Sequence, residues 1–285
     1  MTTFNGIFRV TSGVVKIGGA QGNDSSKLLE ELAGRVRDGE RWVLVHGASG
    51  QMEALSRSCG VEPLYVTSPS GYRSRFVGEK ELALFEAACS CYSVDLSWKL
   101  GKLGIGSLPI YPSRAVTAKA ARKEALRSVE DGKVRILRGN HSGTVCGFEP
   151  APIYDAWEKA LLPLLPPLAS DERGDVLNVD GDRMAAAAAS AVGADVLIIL
   201  SNVPGILRDV ENPESRVEMG SLDLWDELEV LARGNMKRKL LAAREALEGN
   251  VGRVILADSR QDNPISRALG GGGTTLCRTF TAVAD

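Results

Sequence analysis

Residues 183–200 read RMAAAAASAVGADVLIIL, and this stretch decides the class of the fold. Its first part, residues 183–192, is rich in small residues and predicts a closely packed helix. Residues 195–200 are apolar after the opening aspartate, which predicts a strand buried on both faces, as in parallel sheets covered by helices. Both apolar runs are far shorter than the roughly 20 residues that cross a membrane, so they belong in a protein core.

The same alternation of apolar strands and helices runs along the rest of the chain. Further elements are predicted at residues 14–17, 28–36, 42–45, 81–99, 236–247 and 253–257. We therefore predict an α/β fold, a three-layer sandwich with an open, mostly parallel central sheet. Ligands of such sheets bind beyond the carboxyl ends of the strands. The loops at residues 18–19, 46–50 and 201–205 are the first places to look for a site.

Composition and charge exclude several classes of protein. The 285 residues are 44% hydrophobic and 25% charged, with a net charge of −2, which gives no overall attraction to nucleic acid or to membranes. Five cysteines without a CxxC pair argue against a zinc knuckle and a disulfide framework, and they favour a reducing cytoplasm. No pattern of a signal peptide precedes residue 14. His46 and His141 have no partner at ligand spacing, so no metal site built from protein side chains is predicted.

Three polar units carry chemistry, and each has a plainer structural interpretation. Lys16 with Gly18 and Gly19 follows a strand, where backbone N–H groups can approach phosphate or simply make a turn. In the unit NVDGD at residues 178–182, an aspartate can cap the next helix or orient lysines or a metal. In GNMKRK at residues 234–239, three cations at a helix start oppose the helix dipole, which favours an anionic partner over a solvated face.

The middle of the chain is basic. Between residues 113 and 145 there are eight lysines and arginines against three carboxylates, and Asp131-Gly132 is typical of a hairpin turn. We expect a protruding β element there, which is either a solvated hairpin or a docking surface for an acidic partner. Aromatic residues are not interleaved with the cations, so RNA binding is the weaker interpretation.

Six motifs occur in a fixed order along the chain. They are VVKIGG (14–19), VHGAS (45–49), SPSGYRSR (68–75), LNVDGD (177–182), LSNVPGIL (200–207) and GNMKRK (234–239). Together they resemble the amino acid kinase superfamily, in its N-acetylglutamate kinase branch. SPSGYRSR, the MKRK helix start and the tail NPISRALGGGGT (263–274) make the chain most similar to the kinases that phosphorylate α-aminoadipate or glutamate attached to the carrier protein LysW.

The resemblance implies a role for individual residues. Lys16 and Lys239 would stabilise the transferring phosphoryl group, and Asp182 would hold these lysines in place. Residues 1–165 would form a lobe that binds the acyl substrate and contains the dimer interface, and residues 166–285 a lobe that binds ATP with Mg²⁺. The implied substrate contacts are Gly47, Ala48, Ser49, Arg75 and Asn178, and the implied nucleotide contacts are Gly18, Gly19, Ser201, Asn202, Gly205 and Met236.

The basic element then has a candidate purpose, because a substrate attached to an acidic carrier protein would be steered by complementary charge. The cations that we expect to dock the carrier are Lys119, Arg122, Lys123, Lys133 and Arg135. A kinase for free N-acetylglutamate is the alternative function. A ligand sensor without activity is a weaker alternative, because Lys16, Asp182 and Lys239 are all present.

One position departs from the family pattern. The family usually has glycine where this chain has Ala48, and an alanine that needed a positive φ would cost on the order of 1 kcal/mol. We therefore expect Ala48 to affect the substrate range and the rate rather than the reaction type.

Overall fold

The computed structural model describes residues 11–19, 25–67, 69, 73–112, 117–130 and 133–279. Within these residues, sixteen strands are β1 (Ser12–Ile17), β2 (Arg41–His46), β3 (Tyr65–Thr67), β4 (Arg73–Arg75), β5 (Ser107–Pro109), β6 (Ala118–Arg122), β7 (Ala125–Glu130), β8 (Lys133–Arg138), β9 (Gly143–Phe148), β10 (Leu162–Leu165), β11 (Leu168–Ser170), β12 (Val176–Asn178), β13 (Val196–Ser201), β14 (Met219–Ser221), β15 (Arg253–Asp258) and β16 (Gly273–Cys277). Eight helices are α1 (Ser26–Arg37), α2 (Ser49–Ser58), α3 (Glu79–Lys102), α4 (Ala151–Glu158), α5 (Gly181–Val192), α6 (Trp225–Leu231), α7 (Asn235–Glu248) and α8 (Pro264–Leu269).

Eight of the strands form one central sheet in the order β14-β16-β15-β13-β1-β2-β10-β5. All neighbouring strands in it are parallel except β15 and β16. Its middle strands are apolar at their centres because successive side chains point to opposite faces and both faces are buried there. The predicted open, mostly parallel sheet is confirmed.

Helices cover both faces of the sheet. On one face, Val14, Leu197 and Ile199 pack with the small residues of α5 and the apolar side of α7. On the other face, Val15 and Ile198 pack with leucines of α1, α3 and the isoleucine of α8. This is the three-layer sandwich that the sequence predicts.

A smaller four-stranded sheet, in the order β12-β11-β6-β9, lies beside the central sheet. Strands β7 and β8 form a separate antiparallel pair from Ala125↔Arg138 to Glu130↔Lys133. The predicted turn residues Asp131 and Gly132 lie outside the described residues. The sequence patterns predict neither the small sheet nor α2.

Two features bear on the predicted division at residue 165. The central sheet runs across that boundary, because β1 pairs with both β2 and β13. Pro163 lies inside β10 and pairs with Leu108, so this proline does not interrupt the sheet. Among the described residues, no helix has the length and apolarity needed to cross a membrane.

Candidate active site

One large cleft, of about 1570 Å³, lies at the carboxyl edge of the central sheet. Every residue predicted for catalysis, substrate binding or nucleotide binding lines it. They are Lys16, Gly18, Gly19, Gly47, Ala48, Ser49, Arg75, Asn178, Asp182, Ser201, Asn202, Gly205, Met236 and Lys239. The fold therefore brings together residues that are scattered over the whole sequence.

The loops after β1 and β2 touch each other and form the floor of the cleft. The amide of Gly47 donates to the carbonyl oxygen of Ile17 at 3.0 Å, and the amide of Gly50 donates to that of Gly19 at 2.6 Å. A Cβ at position 19 would lie 2.2 Å from the Ala48 nitrogen, so only glycine fits there. Ala48 has φ −141°, a conformation open to any residue, so the strain considered at this position does not arise.

Asp182 joins the two predicted catalytic lysines. Its Oδ1 lies 2.6 Å from Nζ of Lys16, and its Oδ2 lies 3.1 Å from Nζ of Lys239. Lys16 comes from β1, Asp182 from the first turn of α5 and Lys239 from the start of the second turn of α7. All three side chains are nearly buried, so three separate elements hold two ammonium groups close together at the cleft.

The two acidic residues of the NVDGD unit make different contacts. The Asp180 carboxylate caps α5, accepting from the amides of Asp182 at 2.9 Å and Arg183 at 3.1 Å. The Asp182 side chain is therefore free to bind the lysines. The capping interpretation holds for Asp180, and the lysine-orienting interpretation fits the geometry of Asp182.

The electrostatics of this trio favour an anionic ligand. Burial alone would raise the pKa of Asp182, but Lys16 and Lys239 outweigh it and hold the pKa below its ordinary value. Burial, together with the neighbouring Lys16, lowers the pKa of Lys239. The carboxylate stays ionised at neutral pH and balances only one of two positive charges. An incoming phosphate would supply the missing negative charge.

Arg75 presents two hydrogen-bond donors to the cleft. Its Nε and Nη2 atoms are buried and have no hydrogen-bond partner among the residues that the structure describes, and its guanidinium stacks 5.6 Å from the ring centre of Tyr65. A buried donor left unpaired costs about 1–3 kcal/mol. These two donors of Arg75 therefore favour a carboxylate ligand, which a guanidinium group binds through two parallel hydrogen bonds.

An apolar wall at the other end of the cleft was not predicted from the sequence. Val203, Val210 and Leu241 line the cleft and are 38%, 55% and 46% exposed, and Leu207 and Leu231 lie among them. These residues come from the loop after β13, from α6 and from α7. No periodic pattern links such distant positions, so the sequence alone offers no way to find this wall.

His46 is fully buried beneath the floor of the cleft. Its Nε2 lies 2.7 Å from Oγ of Ser93 on α3, and its Nδ1 lies 3.1 Å from the carbonyl oxygen of Gly47. The Gly47 carbonyl can only accept, so Nδ1 carries the proton and Nε2 accepts from the Ser93 hydroxyl. Burial lowers the pKa of His46 to about 4.

This buried imidazole predicts a pH-dependent loss of stability. Between pH 6.5 and 4 an unfolded chain protonates His46 while the folded protein keeps it neutral. The unfolded state then binds more protons, so the free energy of unfolding falls as the pH drops, by about 2 kcal/mol at pH 5 from this group. Urea unfolding at pH 7 and pH 5 measures the difference. His46→Gln should reduce this difference in the free energy of unfolding between pH 7 and pH 5, and His141→Gln should retain it. An equal difference in wild type and both variants would contradict the assignment.

The residues predicted to dock a carrier are separated by the structure. Lys123 lines the cleft, where burial and the nearby Arg183 lower its pKa. Arg122 lies 2.7 Å from both Asp171 and Asp175, so it joins β6 to the segment between β11 and β12 rather than facing a partner. Lys119, Lys133 and Arg135 are exposed and lie outside the cleft.

Comparison with known proteins agrees with this geometry. Residues 13–258 match the amino acid kinase family. The chain belongs to the amino acid kinase family. Within this family it is 41% identical over 265 residues to the [LysW]-aminoadipate kinase of Deinococcus radiodurans, covering 92% of this chain and 90% of that protein. It is 36% identical to the [LysW]-aminoadipate kinase of Thermus thermophilus over 92% of this chain and 99% of the relative.

Solved structures show the same family fold. Carbamate kinase from Giardia lamblia bound to AMP-PNP superposes with a TM-score of 0.67 at 14% identity, covering 95% of this chain and 99% of that one. N-acetylglutamate synthase from Neisseria gonorrhoeae superposes with a TM-score of 0.76 at 23% identity, covering 94% of this chain and 60% of that one. At these identities the amino acid kinase fold is what the likeness shows.

Proposed function

We propose that this amino acid kinase transfers the γ-phosphoryl group of ATP to the side-chain carboxylate of α-aminoadipate or glutamate carried on a LysW-type amino-group carrier protein. The observation that carries the proposal is the Lys16–Asp182–Lys239 trio in one cleft with Arg75, whose Nε and Nη2 have no partner within the described part of the chain. The names of the relatives support the choice of substrate.

The chemistry needs positioning and charge more than proton transfer. A free carboxyl has a pKa of about 4.3, so the acceptor is already a nucleophile at neutral pH and needs no general base. Its oxygen attacks the γ-phosphorus as the bond to the bridging oxygen of ADP breaks. Lys16 and Lys239 stabilise the charge that spreads over the phosphoryl oxygens, and Asp182 keeps the two ammonium groups from separating.

We place the nucleotide against the apolar wall of Val203, Val210 and Leu241, with its phosphates toward Gly18 and Gly19. The described residues contain no group of three or more His, Cys, Asp or Glu side chains able to hold a metal. Asp180 and Asp182, the carboxylates at this site, already have partners, since Asp180 caps α5 and Asp182 binds the lysines. This fits Mg²⁺ that enters as the ATP complex, coordinated mainly by phosphate oxygens and water.

The amino-dicarboxylate end of the carrier-bound substrate would bind at Arg75 and Asn178. Arg75→Lys should raise the KM for the carrier-bound substrate by about tenfold or more while changing thermal stability little. The reason is that lysine cannot make a bidentate hydrogen bond to a carboxylate. The KM for ATP serves as the internal control and should stay within about twofold. Steady-state kinetics with each substrate varied in turn decides the matter. An unchanged KM for the carrier-bound substrate would move its site elsewhere.

We propose the hairpin of β7 and β8 as the docking surface for the acidic carrier. Its register puts Arg127, Val129, Val134, Ile136 and Arg138 on one face of the pair. This face is exposed and combines apolar side chains with cations. Leu126, on the opposite face, lines the cleft. A carrier held on the hairpin would therefore sit beside the cleft opening.

Charge reversal on this face should slow carrier use. Arg127→Glu with Arg138→Glu should lower kcat/KM for the carrier-bound substrate by about ten- to a hundredfold at low salt, mainly through slower association. The loss should shrink in 1 M salt, where the Debye length is about 3 Å. Arg57→Glu with Lys159→Glu is the matched control, because both residues are exposed and lie outside the cleft. Equal kcat/KM values for the two double variants at low salt would refute docking on the hairpin.

The remaining proposals concern assembly and location. Val94 and Trp98, 66% and 60% exposed on α3, together with the exposed Cys91, form a face that we propose as the homodimer contact. The molecular mass in solution tests whether the chain forms a homodimer.

All five cysteines are unpaired, which supports the reducing, cytoplasmic location that we propose.

The experiment that tests the proposed function identifies the phosphorylated group. Hydroxylamine converts an acyl phosphate to a stable hydroxamate, so the carrier bearing aminoadipate or glutamate is incubated with ATP, Mg²⁺, enzyme and hydroxylamine. Fragmentation mass spectrometry should place the hydroxamate on the side-chain carboxylate of the carried acid. ADP formation without hydroxamate at that carboxylate, or hydroxamate on free N-acetylglutamate alone, would overturn the proposal.

A further inference from the structure

Asn140 lies at the junction between β8 and β9 and is 1% exposed. Its Nδ2 donates to the carbonyl oxygen of Lys123 at 2.9 Å and to Oγ of Ser142 at 2.7 Å. Its Oδ1 accepts from the amide of Val77 at 3.3 Å. The reverse orientation of the amide would set two donors against each other at Val77, so these partners fix which way Asn140 points.

Backbone hydrogen bonds from the next two residues join the same segments. The amide of His141 donates to the carbonyl oxygen of Val77 at 2.7 Å, and the carbonyl oxygen of His141 accepts from the amide of Asn178 at 3.0 Å. The amide of Lys123 donates to the carbonyl oxygen of Ser142 at 2.9 Å. We call residues 140–142 the junction.

Each segment held by the junction carries a functional group of the cleft. Val77 follows Arg75 by two residues, Lys123 stands at the base of the hairpin, and Asn178 lines the cleft directly. The junction therefore sets the position of Arg75 and Asn178 relative to each other and to the hairpin. None of its hydrogen bonds reaches the Lys16–Asp182–Lys239 trio.

We propose that Asn140 is a positioning residue. It keeps Arg75 and Asn178, the residues proposed to bind the substrate carboxylate, in a fixed position relative to the base of the hairpin. It thereby sets the affinity for the carrier-bound substrate. This inference rests on the proposed function, because it names the substrate that the positioned groups bind. A buried amide that makes one hydrogen bond to the segment of Val77, one to that of Lys123 and one within the junction can do this without touching the substrate. The two-pronged contact of Arg75 is sensitive to direction, so small displacements of its strand should weaken binding.

The test separates positioning from general stability. Asn140→Ala should raise the KM for the carrier-bound substrate by about tenfold, with kcat and the KM for ATP within about twofold of wild type. Val254→Ala, in the fully buried core around β15, is the control for lost stability and should leave both KM values unchanged. If Asn140→Ala does not fold, Asn140→Asp, which keeps the shape and the acceptor for Val77, should show the same split.

Hydrogen exchange gives a second readout that needs no substrate. In Asn140→Ala the amide of Val77 should exchange faster than in wild type, whereas exchange across α7 should not change. Faster exchange without a change in the KM for the carrier-bound substrate would make Asn140 merely structural and overturn the proposal, as would unchanged exchange or an equal rise in both KM values. If wild type does not use a carrier-bound substrate at all, the proposed function fails, while exchange at Val77 still judges whether Asn140 holds this segment.

Discussion

Replacing Lys239 with alanine is expected to lower kcat by about 10²–10³, and Lys16→Ala should do the same, because each removes one preorganised donor to the transferring phosphoryl group. Both ammonium groups lie within 3.1 Å of one carboxylate in a buried position, where electrostatic interactions are stronger than in water. Asp182 retains one lysine in either variant, so the fold should persist. Single-turnover rates at saturating ATP and substrate measure the loss directly.

The control for this experiment is a cation on the same helix. Arg244 lies on α7, pairs with Glu248 on the surface and does not line the cleft. Arg244→Ala should therefore keep the wild-type rate. A rate within a few-fold of wild type for Lys16→Ala or Lys239→Ala would remove that lysine from the catalytic role.

Asp182→Asn should be about as damaging to kcat as the loss of a lysine. Asparagine has nearly the same shape but no charge, so two buried ammonium groups would face each other without a counter-ion. Removing one partner of a buried ion pair costs about 3–5 kcal/mol, so rates are to be compared on protein shown by circular dichroism to be folded. The assay at neutral pH reports on the ionised carboxylate, because Lys16 and Lys239 hold the pKa of Asp182 below its ordinary value despite burial.

Asp180→Asn is the matched comparison for this variant. Asp180 caps α5, and asparagine caps helices about as well as aspartate. Asp180→Asn should therefore lose far less activity than Asp182→Asn. Equal losses would mean that the charge near this helix start matters as a whole, and that Asp182 has no special place between the lysines.

Local sequence patterns predict the four inner strands of the central sheet, β15, β13, β1 and β2, but neither its outer strands nor the small sheet. The strand predicted at residues 195–200 is observed at Val196–Ser201, because a strand covered on both faces is apolar throughout. Two strands of the small sheet, β11 and β12, have only three residues each, too few for a pattern to form. Proline has no backbone N–H to donate and is disfavoured inside sheets, yet Pro163 lies within β10 beside β5.

Motifs identify the candidate site residues, but they do not identify the groups that contact those residues. The sequence leaves open whether Asp180 or Asp182 caps α5, because the answer depends on lysines that arrive from β1 and α7. The count of positive charges likewise includes Arg122, although Asp171 and Asp175 neutralise it from a distant segment. The apolar wall and the junction at Asn140 are built from several segments, so they emerge only in three dimensions.

The central claim is that the acceptor is a carrier-bound amino-dicarboxylic acid. The most direct test is kcat/KM for ATP-dependent hydroxamate formation with carrier-bound aminoadipate, carrier-bound glutamate and free N-acetylglutamate, measured side by side at low ionic strength. We predict that a carrier-bound acid exceeds the free one by at least about a hundredfold, since charge steering alone raises association rates by about 10–10³. A kcat/KM for free N-acetylglutamate equal to or above those of both carrier-bound acids would contradict the account.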